Sequence, residues 1–221
     1  MDIAGNYKNL LKELPEGVEM VAVTKTRDPS AIMKLYDTGH RLMGENRVQE
    51  LTAKKDRLPG DIQWHMIGHL QSNKVRYIAP FISFIHSVDS VKLIKVINKE
   101  AIKNSRIIDC LLQVHIATEE SKFGFSVKEA SEFLNNFTPG SYPGVRIRGL
   151  MGMATFTDNS EIVRSEFRIL SGLFKEIRES GLPASNDFDE LSMGMSGDYR
   201  IAVEEGSTIV RIGSLIFGER E

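Results

Sequence analysis

The stretch Glu19-Met20-Val21-Ala22-Val23-Thr24-Lys25-Thr26 joins an apolar run to a lysine at its carboxyl end. Such a run is typical of a strand that is buried on both faces, as in a parallel sheet covered by helices. A lysine at the end of this strand lies at the mouth of a core, where partial desolvation favours the neutral, nucleophilic amine. Such amines form Schiff bases with aldehydes, although a lysine in this place often only extends to water. Lys25 is therefore a candidate nucleophile.

Further apolar runs follow, and segments with helical spacing separate them. The predicted strands are residues 20–24, 41–44, 63–67, 84–87, 107–116, 146–151, 190–193 and 208–212. The predicted helices between them are residues 29–38, 48–57, 73–78, 91–104, 127–137, 162–180 and 197–205. This alternation predicts an α/β protein, namely a single (β/α)8 TIM barrel over residues 1–221 with an extra N-terminal helix. A doubly wound open sheet is the alternative, because a sequence does not show closure.

Two start signals support these helices. Ser126 with Glu129 three residues later is typical of a capping box. Asp89 is a candidate cap for the helix that begins near Val91. The lysines of the predicted helices, among them Lys54 and Lys55, fall on polar faces and are predicted to be solvated.

Composition limits the classes of function. The chain has 221 residues, 41% of them hydrophobic, and a formal net charge of −2. This charge gives no general attraction to nucleic acid or to a membrane surface, and no apolar run approaches the roughly 20 residues of a membrane span. The single cysteine, Cys110, lies in an apolar run and is predicted to be a buried thiol. These features predict a cytoplasmic protein without disulfides.

Two segments near the carboxyl end are suited to binding a phosphate. They read Leu191-Ser192-Met193-Gly194-Met195-Ser196-Gly197-Asp198 and Val210-Arg211-Ile212-Gly213-Ser214. Glycines let backbone N–H groups approach an anion, and serines add hydroxyl donors. A helix predicted to begin near Ser196 would point its positive end at the same anion. TIM barrels commonly build a phosphate site after their last two strands, which is where these segments lie.

Other strand ends add amides, cations and histidines. Glu45-Asn46 follows the second predicted strand, and Lys122 follows the fifth. His65 and His69 are four residues apart, but they span a junction of strand and loop and lack the glutamate of a helical zinc motif. The sequence therefore predicts no metal site. The set of strand ends favours a ligand that is anionic, aromatic or carbonyl-bearing.

The chain resembles the YggS/PROSC family of pyridoxal-phosphate homeostasis proteins, which has the barrel of alanine racemase without the second domain. The resemblance covers nearly the whole chain, and the last two of its motifs are the most specific. It is carried by 21-VAVTKT-26, 44-GENRVQE-50, 65-HMIGHLQSNK-74, 121-SKFG-124, 149-GLMGM-153, 191-LSMGMSGD-198 and 206-GSTIVRIGSLIFG-218.

The resemblance implies a site for pyridoxal 5′-phosphate (PLP). Lys25 would hold the cofactor as a Schiff base, the internal aldimine. Arg211 would face the pyridine nitrogen, with Asn46 and Met66 near the ring. The phosphate would lie among Ser192, Ser196, Gly213 and Ser214.

Three positions depart from the family pattern. Arg47 stands where the family usually has tyrosine, and His69 stands where proline is common. Arg27 replaces the second lysine of some relatives. The first two alter the rim of the expected site, and the third removes an alternative amine. Lys25 and the phosphate elements keep the pattern.

The function predicted from these observations is to hold PLP and deliver it to PLP-dependent apoenzymes, without robust catalysis. An arginine opposite the pyridine nitrogen makes the ring a weaker electron sink. The chain also shows no second domain that would supply an opposing base, and a monomer is expected. The alternatives are a PLP-dependent amino-acid racemase and a Schiff-base aldolase that uses Lys25 on a phosphorylated substrate.

Overall fold

A closed barrel of parallel strands is the framework of the computed structural model, which describes residues 2–118 and 123–219, apart from the side chain of Ser185. The strands are β1 Glu19–Val23, β2 Leu42–Glu45, β3 Gln63–Met66, β4 Phe84–Val88, β5 Ile108–Gln113, β6 Val145–Met151, β7 Glu190–Met195 and β8 Ile209–Ile212. They pair in chain order, and β8 closes the barrel by pairing with β1. The predicted (β/α)8 barrel is confirmed, and the open sheet is excluded.

Helices surround the strands. They are α1 Ile3–Glu13, α2 Pro29–Tyr36, α3 Val48–Lys55, α4 Val75–Ile78, α5 Val91–Lys103, α6 Val127–Asn135, α7 Ser160–Glu179, α8 Tyr199–Glu204 and α9 Ser214–Phe217. Short 3-10 turns lie at Ser72–Lys74, Pro139–Ser141 and Pro183–Asp187. Helix α1 is the predicted extra N-terminal helix, and it contacts α9 through a hydrogen bond from Asn6 Nδ2 to the Ile216 carbonyl at 3.2 Å. Within the described ranges, no helix has the length and apolarity that crossing a bilayer requires.

Most core side chains pack between the strands and the helices. The apolar residues Val21, Phe84, Leu111, Met151 and Ile209 come from strands alone and form a separate cluster, which fills the interior of the barrel. Cys110 is fully buried, as predicted, and burial raises the pKa of its thiol.

The structure corrects two of the predicted helix starts. Asp89 does not cap α5; Ser90 is the N-cap residue and its hydroxyl accepts from the Leu93 N–H at 3.3 Å. The capping box of Ser126 and Glu129 is confirmed. Helix α8 begins at Tyr199 and not near Ser196, because Met195 to Asp198 form a turn in which the Asp198 carboxylate accepts from the Met195 N–H at 2.5 Å.

Candidate functional site

A cavity of about 440 Å³ opens at the carboxyl ends of the strands. Six of the eight residues predicted to bind the cofactor line it: Lys25, Asn46, Ser196, Arg211, Gly213 and Ser214. Cavities of about 300–1,000 Å³ are typical of small-molecule sites, and the carboxyl face is where TIM barrels hold their ligands. The structure therefore brings most of the predicted set to one place.

Lys25 lies in the turn that follows β1. The strand ends at Val23, two residues earlier than a lysine at its last position would require. Thr24 still bonds to the neighbouring strand, with its N–H donating to the Gly44 carbonyl at 2.9 Å, and the Arg27 N–H donates to the Thr24 carbonyl at 3.0 Å. This turn places a half-buried Lys25 in the cavity wall.

The turn after β7 and the end of β8 are joined by a hydrogen bond. The Ser196 hydroxyl accepts from the Gly213 N–H at 3.2 Å, so its own proton is available to an acceptor in the cavity. Gly194, just before this turn, has φ +92°, and a Cβ there would lie 2.5 Å from the Cβ of Ala202. Only glycine allows β7 to turn so closely against α8.

Helix α9 begins at Ser214, directly after Gly213. The first N–H groups of a helix have no acceptor within it. The N–H groups of Ile216 and Phe217 donate to the Gly213 carbonyl. The N–H groups of Ser214 and Leu215, with the Ser214 hydroxyl, are therefore the donors added beside Ser196. The donors were predicted from the sequence, but the four-residue helix was not, because it is too short to show a helical period.

Arg211 is 3% exposed and still reaches the cavity from β8. One terminal guanidinium nitrogen, Nη1, donates to the Ser192 carbonyl at 2.9 Å and to the Ser192 hydroxyl at 2.6 Å. The other terminal nitrogen, Nη2, donates to the Gly152 carbonyl at 3.0 Å. Burial lowers the pKa of Arg211 to about 10, and the charge of Asp198 acts against this shift. The guanidinium is therefore a fixed cation at neutral pH.

Two buried histidines continue from Ser192 across the barrel. His86 Nδ1 lies 2.9 Å from the Ser192 hydroxyl oxygen, and His65 Nδ1 lies 2.9 Å from His86 Nε2. Burial lowers the pKa of His65 to about 3 and that of His86 well below its ordinary value. Both rings are therefore neutral, and the chain of hydrogen bonds orients Ser192 without adding charge.

Ser192 and Met66 do not line the cavity, although both were predicted to contact the cofactor. Ser192 is fully buried in β7, and its hydroxyl is bonded to Arg211 and His86. Met66 is fully buried at the end of β3, within the apolar core. Met66 points to the helix side of β3, because alternate residues of a strand face opposite sides and its neighbour His65 bonds His86 inside the barrel. Ser192 points into the barrel, but its hydroxyl is taken up there by Arg211 and His86.

Lys54 is buried, which contradicts its predicted solvation. Its ammonium donates to Glu45 Oε1 at 2.7 Å, to Glu50 Oε2 at 2.9 Å and to the Thr24 carbonyl at 2.7 Å. Burial raises the pKa of Glu45 to about 7, although hydrogen bonds from Lys54 and Thr24 lower it. The second oxygen of Glu45 is buried without a hydrogen-bond partner in the described chain.

The rim residues that depart from the family pattern lie in a neighbouring cleft. Arg47 and His69 line it, and Asn46 is shared with the cavity. His69 Nδ1 lies 2.9 Å from Asp89 Oδ2, and its ring stacks on Phe123 at 4.0 Å between centroids. His65 and His69 are therefore in different environments. Lys122 lies outside the described residues.

The loop between β6 and α7 lines the cavity, although none of the residues predicted to bind the cofactor belongs to it. This loop contributes Thr155, Phe156, Thr157 and Asp158 to the cavity wall. Glu166 of α7 holds it: its carboxylate accepts from the Thr155 N–H at 2.7 Å and from the Thr155 hydroxyl at 2.7 Å. A glutamate on the apolar face of α7 was the available signal. Arg27 also lines the cavity and donates to the Gly218 carbonyl.

Charges in the cavity wall favour an anion slightly. The charged side chains of the wall are the cations Lys25, Arg27 and Arg211 and the carboxylates Asp158 and Asp198. Burial raises the pKa of Asp198, and the N–H of Met195 and the charge of Arg211 act against this shift. A barrel with these features is a site for a small anionic ligand that can react with an amine.

Comparisons with known proteins agree with this class. The family model "Alanine racemase, N-terminal domain" matches residues 2–221. The pyridoxal phosphate homeostasis protein of Aquifex aeolicus is 41% identical over 204 residues, which are 92% of this chain and 87% of that protein. The structure of PipY from Synechococcus elongatus with PLP bound has a TM-score of 0.87 and 34% identity, and the match covers 98% of this chain and 100% of that one.

A more distant structure shares only the fold. Alanine racemase from Bartonella henselae matches with a TM-score of 0.72 and 19% identity, over 99% of this chain and 60% of the racemase. The chain thus has the fold of the alanine racemase barrel. It belongs to the alanine racemase N-terminal domain family and, within that family, to the pyridoxal phosphate homeostasis proteins.

Proposed function

We propose that the protein binds PLP in the cavity at the carboxyl face and contributes to PLP homeostasis. The observation that carries the proposal is the convergence of Lys25, Arg211 and Ser196 on one cavity. The amine is suited to react with the aldehyde of PLP, and the guanidinium is suited to face its pyridine nitrogen. The hydroxyl and backbone N–H donors are suited to bind its phosphate. When bound, PLP supplies an aldehyde that condenses with an amine.

Lys25 is the proposed covalent partner. Its nitrogen would bond the aldehyde carbon, and the aldehyde oxygen would leave as water with the two amine protons. Ser196, Gly213 and Ser214 would hold the phosphate, and Arg211 would face the pyridine nitrogen, with Asn46 beside the ring. Ser192 would act through Arg211, because it bonds that guanidinium and does not line the cavity. Met66 would support the wall from behind.

The test is to trap the covalent link. Purified protein with PLP should absorb in the visible range, and borohydride should fix one PLP to the peptide that contains Lys25. Lys25→Ala should lose both signals and keep its fold, because the residue lies in a turn at the barrel mouth. A full-strength adduct on another lysine would refute the assignment, and equal affinity for pyridoxal and PLP would refute a phosphate site.

The role without robust catalysis is a further part of the proposal. Racemisation needs a base on each face of the substrate α-carbon. The described wall of the cavity contains no tyrosine, histidine or cysteine that would oppose Lys25. Arg211 also disfavours protonation of the pyridine nitrogen, so an α-carbanion would be poorly stabilised.

Exchange of the α-hydrogen of D- and L-alanine in deuterated water, with stoichiometric protein, tests this absence. Slow exchange without inversion is expected. Exchange with inversion at about 1 s⁻¹ or faster, an ordinary enzymatic rate, would show a racemase.

We also propose a cytoplasmic monomer that passes PLP to apoenzymes. The buried free thiol of Cys110 supports a reducing compartment. Size-exclusion chromatography with light scattering tests the monomer. Transfer of PLP to an apoenzyme across a dialysis membrane, compared with transfer in a shared solution, tests whether delivery needs contact.

A further inference from the structure

We infer that Lys54, together with Glu50, is a positioning residue for Lys25: it fixes the backbone on both sides of Lys25 and so aims the amine into the cavity. The inference rests on the proposed function, in which Lys25 bonds the PLP aldehyde. It assigns a role to a buried cation that does not itself line the cavity.

Both peptide groups that flank Lys25 are held by this cluster. On one side, the Lys54 ammonium donates to the Thr24 carbonyl at 2.7 Å. On the other side, the Thr26 N–H donates to Glu50 Oε2 at 2.7 Å. Lys54 and Glu50 also bond each other at 2.9 Å, one turn apart on α3. The two linked side chains therefore fix the backbone on both sides of Lys25.

The ammonium of Lys54 has no spare donor. It carries three N–H groups, and its three acceptors are Glu45 Oε1, Glu50 Oε2 and the Thr24 carbonyl. Glu45 is tied back to the same turn, because its Oε1 accepts from the Thr24 hydroxyl at 2.6 Å. Because every donor of the ammonium is used, the side chains of the cluster are fixed, and their hydrogen bonds restrain the backbone at Thr24.

The backbone beside Lys25 requires such a restraint. Thr26 has φ +63°, a left-handed conformation that is an outlier for a β-branched residue. Such conformations persist where the surroundings determine them, and they concentrate at functional sites. The turn bond from the Arg27 N–H to the Thr24 carbonyl spans Thr26, and the bond from Thr26 to Glu50 ties the same residue to the cluster.

Stability alone does not account for the cluster. The side chains of Lys54 and Glu45 are 8% and 0% exposed, so both charges lose most of their hydration. Buried ion pairs of this kind are often no more stabilising than apolar residues of the same size. The position of the cluster, under the turn that carries Lys25, gives it a reason to be retained.

The test separates the capture of PLP from the reaction with its aldehyde. Lys54→Met keeps an unbranched side chain, one atom shorter, and removes the donors. Lys55→Met is the matched control, because Lys55 lies on the same helix and is exposed. For each protein, pyridoxine 5′-phosphate, which has an alcohol in place of the aldehyde, measures non-covalent affinity. The rate at which visible absorbance appears after mixing with PLP measures the reaction of Lys25. The mass of the protein after borohydride reduction confirms that PLP has been linked covalently.

Lys54→Met should react at least tenfold more slowly while its affinity for pyridoxine phosphate stays within about twofold of wild type. Lys55→Met should match wild type in both. A wild-type rate in Lys54→Met would overturn the inference, and so would a parallel loss of rate and analogue affinity, which would indicate a general structural role.

If Lys54→Met does not fold, Glu50→Ala decides, because the Glu50 side chain is 28% exposed and its removal releases Thr26. It should also slow the reaction with analogue affinity unchanged, and a wild-type rate would again overturn the inference. A wild-type protein that forms no link with PLP would refute the proposed function itself, a result distinct from any of these.

Discussion

Lys54 and Arg211 are both buried beside the cavity, and the protein stabilises their charges in opposite ways. Lys54 bonds two carboxylates, those of Glu45 and Glu50. Arg211 bonds two carbonyl oxygens and the Ser192 hydroxyl. Among carboxylates, Asp198 acts on Arg211 through its charge, without a hydrogen bond between them in the described residues. The charge of Lys54 is thus neutralised within its cluster, whereas the charge of Arg211 stays available to a ligand. One cation shapes the backbone and the other supplies charge to the cavity.

The sharpest test of this difference is to remove the Arg211 guanidinium. Arg211→Met leaves the Gly152 carbonyl without its described donor. It also removes one of two bonds from the Ser192 carbonyl, which still accepts from the Gly152 N–H, and from the Ser192 hydroxyl, which still bonds His86. A buried group left without a partner costs about 1–3 kcal/mol and each further lost hydrogen bond about 1 kcal/mol, so the free energy of unfolding should fall by about 3 kcal/mol. Urea denaturation measures this loss.

Arg168→Met is the control for Arg211, because Arg168 is 63% exposed and pairs with Glu205 at the surface. Exposed pairs contribute up to about 1 kcal/mol, so the control should change little. Equal losses in the two variants would mean that the buried bonds of Arg211 carry no special weight.

A second test concerns Glu45, which belongs to the cluster around Lys54. Burial raises the pKa of Glu45 to about 7, from 4.5 when the group is solvated. Between these values the folded protein holds a proton that the unfolded chain does not, so this stabilising contribution is complete below pH 4.5 and is lost as the pH rises through 7. Glu45→Gln removes it.

Two buried histidines act with the opposite sign. Burial lowers the pKa of His65 to about 3 and that of His40 to about 4, so acid stabilises the unfolded chain, which binds the protons. Wild type and Glu45→Gln share this loss. From pH 7.5 to 5.5, Glu45→Gln should therefore lose about 2 kcal/mol more than wild type in urea denaturation. Parallel pH profiles would show that Glu45 does not titrate in this window.

The smallest expected effect is at the phosphate end of the cavity. Ser196→Ala removes one hydroxyl donor. The Gly213 N–H, which donates to the Ser196 hydroxyl in the wild type, then becomes available to the ligand. Retention of PLP should weaken by about 1 kcal/mol, roughly fivefold, as measured by equilibrium dialysis. The affinity for pyridoxal, which lacks the phosphate, should not change. A loss for both ligands would place Ser196 away from the phosphate.

The fold followed from the sequence more fully than the site did. Strands buried on both faces have a strong apolar signal, and the eight observed strands lie within a few residues of the predicted ranges. Helix starts were weaker, because Asp89 and Ser90 are both good caps and only the structure shows that Ser90 is used while Asp89 pairs with His69.

Motifs located the cavity wall but not what lies behind it. Lys25, Arg211 and Ser196 were placed by their position at strand ends, which sequence order gives. Lys54 was predicted to be exposed because its partner Glu45 comes from a different element, and helical spacing does not report such a contact. Ser192 was assigned to the phosphate because a motif does not show that Arg211 and His86 already bond its hydroxyl.

Closure of the barrel also determines when, during synthesis of the chain, the site becomes complete. Lys25 and Gly213 line one cavity because β8 pairs with β1, although about 190 residues separate them in the chain. At about 5–20 residues per second of synthesis, β1 leaves the ribosome roughly 10–40 s before the strand that completes its site. During that interval the nucleophile and the phosphate donors do not meet. A growing chain therefore cannot sequester the cofactor in this cavity, and binding is confined to polypeptides whose last strand has docked.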